Sequence, residues 1–453
     1  MIARSEHPIN TLRPKPHFVE HDAEELLQSI RDSLQDVVQQ LGQKARFIEA
    51  AGLATQRSNM VCWDKHTGKA ISPIISWQDT RANDWLKQLQ LDALDIHKTT
   101  GLFPSAHYGA SKMRWCLDNL DAVRQAQAEG RLAIGPMSSY LVYNLGQEKN
   151  CYADPVNASR TLLWHIHRQD WDQFLLDKFG IALEALPACV PTAYNFGTLT
   201  VGEHHIPLSI VTGDQSAALY AYGDLQYETA YLNLGTGAFV SRPSGHALLY
   251  ARRLLSSVIY SNAEDSRYVL EGTVNGAGAA IDWLQQRCPV EDLWSKLPQW
   301  LERVTDPPLF LNGVAGLASP YWIADFETEL QASDHVEAKY VAVIDSIAFL
   351  INANISEMLK FASKPQQIQI SGGLAQLDGL CQRITDLCRL PIYRPKECEA
   401  TAHGLAYLLA DMPVHWLEQE HGNWFKPKDN PVLENRFLLW EQAMLQRMHQ
   451  HDN

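Results

Sequence analysis

The sequence predicts an α/β protein built as two halves around a central cleft, and three observations carry that prediction. Apolar, strand-like runs alternate with amphipathic helical stretches, the pattern of sheets covered by helices. The alternation stops and restarts near Tyr220–Glu228, which places a boundary at about residue 222 between a first domain, 1–222, and a second, 223–453. Three strand ends of the second half break into glycine turns, and ligands of open α/β sheets bind at strand ends and in crevices between domains. With 453 residues, 46% of them hydrophobic, the chain is long enough for two cores.

The first element is a helix. In "HDAEELLQSIRDSLQDVVQQLG", Leu26, Leu27, Ile30, Leu34, Val37, Val38 and Leu41 fall at helical spacing. Asp22 stands at the N-cap position, Glu24 and Glu25 favour the first turn, and Gly42 closes the helix. "ARFIEAAGLAT" then reads as a strand, "NMVCWDKHTGKAI" as a hairpin turning about Lys65–Gly68, and "SPIISW" as another strand. The alternation runs on to "IPLSIVTG". In the second half "AYLNLGTGAFVSR" reads as strand–turn–strand, and "YVLEGTVNGAGAAIDWLQQ" as strand, glycine turn and helix. "VAVIDSIAFLINANISEMLKF" reads as a long helix with a buried face, and "QQIQISGGLAQLDGLCQRITDLC" again as strand, glycine turn and helix. Cys381 and Cys388, a heptad apart on that last helix, suit burial. "HGNWFKPKDNPVLENRF" reads as a connector to a C-terminal helix.

Composition narrows the function. No run of 18 apolar residues occurs, and "MIARSEHPIN" has no apolar h-region, so neither a membrane span nor a secretory signal is expected. Eight cysteines without a CxxC pair suit the reduced thiols of a cytoplasm. A net charge of −14 argues against a nucleic-acid partner. It leaves room for a small anion, because backbone N–H groups hold phosphate whatever the global charge. The histidines of "HIHRQD" and "EHH" invite a metal reading, but no third ligand type clusters with them, and they read as solvated surface.

Two constellations carry chemistry. Gly235-Thr236-Gly237, Gly276-Ala277-Gly278 and Gly372-Gly373 each end a strand and precede a hairpin or a helix N-terminus. There, unpaired N–H groups and the helix dipole favour negative charge. None matches a P-loop or a Rossmann fingerprint, so a nucleotide would be held by several separated turns. Packing alone also explains any one of them. The second constellation is Asp214 in "IVTGDQSAALYAYG", after an apolar strand and a glycine and at the start of a helix. The aspartate is either a helix cap or a carboxylate placed to accept the proton of a substrate hydroxyl during phosphoryl transfer. The residues alone leave both readings open.

At this point the sequence resembles a known family. "GDQSAAL", "NLGTGAF", "EGTVNGAGAAIDWL", "GVAGLASPYW" and "SGGLAQLDGL" occur in the order and spacing of FGGY carbohydrate kinases. "RPKPHFVEHDAEEL", "TQRSN", "IISWQDTRA" and "DPVNASRTLLWHIHRQDWD" point to the glycerol-kinase-like branch. The resemblance covers nearly the whole chain. It implies two RNase-H-like domains of the actin-like ATPase type, with the sugar or polyol on the first and ATP, with Mg²⁺ bridging its phosphates, mainly on the second. It implies that Asp214 is the general base, with Gln215 beside it. Arg57 and Trp77 match residues that hold and wall the polyol, and Phe239 closes the pocket. Thr236, between Gly235 and Gly237, matches the hydroxyl that contacts the transferred phosphate, and Gly278 and Gly373 match turns flanking the nucleotide. A cytoplasmic enzyme acting on a small molecule follows, with a homodimer allowed.

Five features depart from the family pattern. Ser58 stands where glycerol kinases carry a glutamate, and His107 where they carry a tyrosine. That loss of charge-assisted bonds implies a larger acceptor than glycerol or weak affinity for it. Near the nucleotide, Asp282 replaces an amide and Leu377 an asparagine, which opens the choice of base. Finally, actin-like kinases pair the second-domain turn with an N-terminal DxGTxS hairpin, and no DxGT occurs here. "MIARSEHPIN" aligns with the strand that follows that hairpin. About 20 residues of strand and turn are therefore expected upstream, without which the first domain has an unpaired edge and an incompletely filled core. The rival reading is a non-catalytic nucleotide- or polyol-binding remnant that acts through partners. An actin-fold ATPase of chaperone type suits the small pocket of Arg57, Trp77 and Phe239 poorly.

Overall fold

The chain is divided by more than a single cut. The computed structural model describes residues 1–396, 399–416 and 422–451. Unit 1 comprises Met1–Asp224, Ser257–Tyr268 and Glu399–Trp416, and unit 2 comprises Leu225–Ser256, Val269–Cys398 and Leu417–Asn453.

In unit 1 a two-residue strand, β1 (Glu20–His21), leads into α1 (Ala23–Leu41). The Asp22 carboxylate accepts from the N–H groups of Glu24 and Glu25, and Gly42 ends the helix at φ +52°. The strand expected across "ARFIEAAGLAT" is shorter than its sequence suggests. Gly42–Phe47 form a 3-10 turn, and only β2 (Ala51–Thr55) is extended. Residues 1–10 carry no strand either; they are tied to α1 by Ser5 Oγ and the His7 ring, each 2.8 Å from the Asp36 carboxylate. β3 (Met60–Asp64), β4 (Ile74–Ile75) and β5 (Leu132–Pro136) complete an antiparallel sheet in the order β1-β4-β3-β5. The hairpin expected at Lys65–Gly68 forms: Trp63 bridges Ala70, the Ile71 N–H donates to Cys62 O at 2.9 Å, and the returning arm runs on into β4, which pairs with β3 at Met60–Ile75. α2 (Gly109–Asn119) and α3 (Met137–Leu145) follow on either side of β5.

The other sheet of unit 1 holds the candidate base. β6 (Thr198–Val201) forms a hairpin with β7 (His204–Gly213), and β7 pairs in parallel with β2, setting Gly213 opposite Thr55. α4 (Asp214–Leu219) starts directly at the end of β7. β2 is the last strand of this sheet, and four of its five residues are only partly buried; among the described residues no strand pairs with its outer edge. Parallel strands are ordinarily covered on both faces.

Unit 2 contains β8 (Thr229–Leu234), β9 (Ala238–Gly245), β10 (Leu255–Ser261), β11 (Ser266–Val274), β12 (Gln367–Ser371), β13 (Ile392–Pro395) and β14 (Gly422–Phe425), with the tip between β10 and β11 grouped in unit 1. Its seven-stranded sheet runs β10-β11-β9-β8-β12-β13-β14, with β8, β12 and β13 parallel. Against it pack α5 (Gly278–Arg287), α6 (Val336–Met358) and α7 (Asp378–Cys388). Near the chain end lie α8 (Ala400–Leu409), which belongs to unit 1, and α9 (Pro431–His451), in unit 2.

α8 packs against β2, where the missing side chain of Gly52 makes room for Leu405. α6 is long and apolar enough to cross a bilayer, yet 94% of its most apolar stretch is buried, so it is the core helix of the unit. Its Asp345 meets Arg383 at 2.8 Å and Arg436 at 3.1 Å, so the interior carboxylate is paired. Cys381 and Cys388 are buried on α7. The segment expected to be a connector instead contributes β14, paired with β13, with the Trp424 ring tilted against Tyr393 (ring centroids 4.9 Å). The edge of β13 offered backbone partners that no local pattern announces; His421, at the start of that segment, lies outside the described residues.

Candidate active site

The β2–β7 register brings the chain leaving one strand beside the chain entering α4. Arg57 reaches across and donates to Gln215 Oε1. Its aliphatic stem lies over Gly213, where a Cβ would stand 2.7 Å from both Cγ and Cδ of Arg57. The glycine before Asp214 therefore serves a close approach. The cap reading of Asp214 is corrected: the N-cap position belongs to Gly213, with no side-chain cap bond, and Asp214 is the first helical residue. Its carboxylate accepts the Gln215 N–H at 2.7 Å. Burial pushes the Asp214 pKa up, while the Arg57 charge and the Gln215 N–H pull against that rise.

The remaining first-domain candidates join this pair. Ser58 is buried in the left-handed region at φ +64°. Asn59 Oδ1 accepts the Trp77 N–H at 2.7 Å, which fixes where the indole leaves the backbone. The His107 ring stands edge-on to Trp77, 5.5 Å between centroids. One residue that the sequence reading passed over ties these loops together. Lys112, on α2, donates through Nζ to the carbonyls of Ser58 at 2.9 Å and His107 at 2.6 Å. Burial pulls its pKa down to about 7, with Asp79 opposing and Arg81 adding to the fall. The available signal was a lysine one turn into a helix that opens with Gly109, Ala110 and Ser111, where a long side chain has space to turn inward. Arg57, Ser58, Trp77, His107, Asp214 and Gln215 thus form one connected set within unit 1.

In unit 2 the three glycine turns meet one another. The Gly235–Gly237 turn joins β8 to β9, and its carbonyls receive the start of α5: the N–H groups of Ala277 and Ala279 donate to Thr236 O at 3.2 and 3.0 Å, and that of Gly278 to Gly235 O at 3.0 Å. This corrects the expectation that the Gly276–Gly278 turn presents unpaired amides to phosphate; those of Ala277 and Gly278, and that of Ala279 after them, are spent on the neighbouring turn. A Cβ on Gly278 would lie 2.9 Å from Gly235 O, and one on Gly237 3.0 Å from Val274 O. Gly372, at φ +95°, has no room for a Cβ beside the Leu234 carbonyl, whereas Gly373 faces open space. Thr236 is exposed at the tip, and Phe239 is half-buried on β9 opposite Asn233. Asp282 is exposed on α5. Leu377 is part of the hydrophobic core of the unit, so its side chain packs inward. Open space at Gly373 beside the exposed Thr236 turn suits a phosphate-bearing ligand. Among the described residues no three His, Cys, Asp or Glu side chains group as a metal site.

Residues 1–221 match the profile of the FGGY family of carbohydrate kinases, N-terminal domain, and residues 230–411 that of its C-terminal domain. A glycerol kinase of Acinetobacter baylyi is 32% identical over 95% of this chain and 91% of its own length. One from Haloferax volcanii is 30% identical over 98% and 93%. Among solved structures, Plasmodium falciparum glycerol kinase with ADP superposes with a TM-score of 0.85 at 24% identity, covering 97% of this chain and 92% of that one. Rhodospirillum rubrum xylulose kinase superposes with a TM-score of 0.83 at 17% identity, covering 99% and 94%. The fold is the two-domain actin-like ATPase architecture of sugar kinases.

Proposed function

Because this chain belongs to the FGGY family of carbohydrate kinases and is a kinase of its glycerol-kinase-like branch, we propose a division of labour for the ATP-dependent phosphorylation of a small sugar or polyol. Residues 1–222 hold the acceptor, and 223–453 hold the nucleotide. Asp214 takes the proton of the acceptor hydroxyl as that oxygen bonds to the γ-phosphorus, and the bond to the bridging oxygen of the leaving ADP breaks. Burial of Asp214 raises its basicity, while Arg57 holds Gln215 and its charge opposes that rise. Trp77 lays its indole along the carbon chain. Ser58 and His107 stand where relatives of the branch carry a glutamate and a tyrosine, leaving space for an acceptor longer than glycerol. Phe239, on β9, is assigned to the acceptor by its match to the family motif.

On the nucleotide side Gly235, Thr236 and Gly237 cradle the transferred phosphoryl group, and Gly278, Asp282 and Gly373 flank the rest. Mg–ATP, when bound, would supply that group, the metal neutralising charge on the phosphates; Mg²⁺ commonly binds through phosphates, waters and one or two carboxylates. We place the reaction in the cytoplasm, where the seven free cysteines of the described residues stay reduced.

The observation that carries this reading is the connected set around Asp214, joined by Arg57, Asn59 and Lys112. The relatives reported above are glycerol kinases and lend nothing to a non-catalytic remnant. The test is ADP release with glycerol, longer polyols and small sugars as acceptors, with product identified by mass. Absence of acceptor-dependent ADP across the panel would sink the proposal. Because no DxGT occurs in the chain, the same assay on the chain preceded by a DxGTxS hairpin measures what the outer edge of β2 needs. Higher solubility and turnover are expected; equal values would mean that the edge requires no partner.

A further inference from the structure

We infer that Lys112 is a positioning residue of the acceptor half-site, holding the loops that carry Ser58 and His107 in register through their backbone carbonyls. The inference rests on reading unit 1 as the acceptor side. The lysine is 1% exposed, and its hydrogen bonds are the two carbonyls at 2.9 and 2.6 Å. Two carbonyl oxygens that converge on one point repel each other and, once buried, each needs a donor. A single Nζ meets both needs, reaching one carbonyl 54 positions and the other 5 positions earlier in the chain.

The nearby carboxylate does not compete for it. Asp79 is gripped by Arg81, whose Nε lies 2.9 and 3.0 Å from its two oxygens. It also accepts the Val19 N–H at 2.6 Å. Arg81 in turn reaches Glu20 at 2.6 Å and lies over the rings of Phe18 and Trp115. The lysine is thus left to the loops.

The consequence falls on the acceptor contacts. Ser58 sits at φ +64°, a conformation that persists in a residue with a side chain only where its surroundings enforce it. The bond from Lys112 to its own carbonyl is such a constraint. In that conformation the Ser58 hydroxyl is buried with no hydrogen-bond partner among the described residues, an unmet polar group that an acceptor hydroxyl would satisfy. The second bond fixes His107, whose ring borders Trp77. One side chain therefore sets the backbone of two acceptor residues, Ser58 and His107.

Lys112→Met keeps the stem and removes both donors. In the full chain, with glycerol as the probe, the KM for glycerol should rise about tenfold or more while the KM for ATP stays within about twofold. Amide hydrogen exchange over residues 56–59 and 105–109 should accelerate about tenfold or more, with β3 unchanged. Lys112→Gln, which returns a donor on a shorter stem, should recover part of both effects. A folded Lys112→Met with both loops exchanging at the wild-type rate, or with KM changes shared equally by ATP, would overturn the inference. If Lys112→Met does not fold, the same exchange comparison on Lys112→Gln decides it. A wild-type chain that phosphorylates no polyol would instead sink the acceptor reading, and loop exchange would still report on Lys112.

Discussion

The two half-sites are built from different materials. In unit 1 the functional side chains are held by other side chains: Arg57 on Gln215, Asn59 on the Trp77 amide, Lys112 on two carbonyls. In unit 2 the Gly235–Gly237 turn and the first amides of α5 are held backbone against backbone, the Asn312 side chain adds a bond to the Gly276 carbonyl, and Gly372 packs against the Leu234 carbonyl. A side-chain scaffold can be altered one residue at a time, whereas a backbone scaffold closed by glycines admits almost no side chain. The departures from the family follow that division. Ser58 and His107 lie inside the unit 1 set, while Asp282 and Leu377 lie on or beside helices, off the glycine contacts.

The comparison breaks most visibly at the base. Asp214→Asn should lower kcat by roughly 10²–10⁴-fold with the KM for ATP nearly unchanged; a drop below about threefold in initial-rate assays would remove Asp214 from the chemistry. The same variant reports on stability. Burial raises the Asp214 pKa, so the folded chain holds that proton more tightly than the unfolded chain. Ionisation therefore costs stability as pH rises from the unfolded value through the folded one, and the cost persists above it. Asp214→Asn should be more stable than wild type at pH 7, with the advantage gone below the ordinary carboxylate range, as read by urea unfolding.

The backbone half is tested by single methyl groups. Gly372→Ala combines φ +95° with overlap of the Leu234 carbonyl and should cost about 2–3 kcal/mol. Gly373→Ala, one residue on and facing open space, should stay within about 0.5 kcal/mol yet raise the KM for ATP. Equal denaturation midpoints for the two variants would refute the idea that backbone closure holds this half.

A smaller effect is expected where glycine serves a side chain. A Cβ on Gly213 displaces the stem of Arg57, which can bend away. Gly213→Ala should therefore raise the KM for the acceptor by about tenfold while leaving stability within about 1 kcal/mol of wild type. A large stability loss would show that Gly213, like Gly372, belongs to a backbone scaffold.

Legibility in the sequence follows the same line. α1 was readable because Asp22 and Gly42 act on their own neighbours, and the glycine turns were readable because glycine declares a backbone need locally. The carbonyls that claim the amides of Ala277, Gly278 and Ala279 come from a turn some 40 positions earlier, which no local pattern encodes. β14 escaped notice because a strand of four residues exists only through the edge of β13. Lys112 was hidden twice. Lysines are rarely buried, and its partners are carbonyls, which every residue carries.

That hidden lysine gives the smallest effect and separates the two kinds of scaffold by charge. Burial brings the Lys112 pKa from 10.5 to about 7, against the attraction of Asp79 and with the repulsion of Arg81. Between those values the unfolded chain binds the proton and the folded chain releases it, so this group makes stability rise with pH across the window. Below pH 7 both states are protonated and the cost of burying the charge is fully felt. One group contributes at most about 1.4 kcal/mol per pH unit. From pH 7.5 to 8.5 the wild type should therefore gain up to about 1 kcal/mol relative to Lys112→Met in urea unfolding. Parallel pH profiles for the two proteins would mean that the ammonium keeps its charge in the interior, and that the bonds to Ser58 and His107 are strong enough to hold it there.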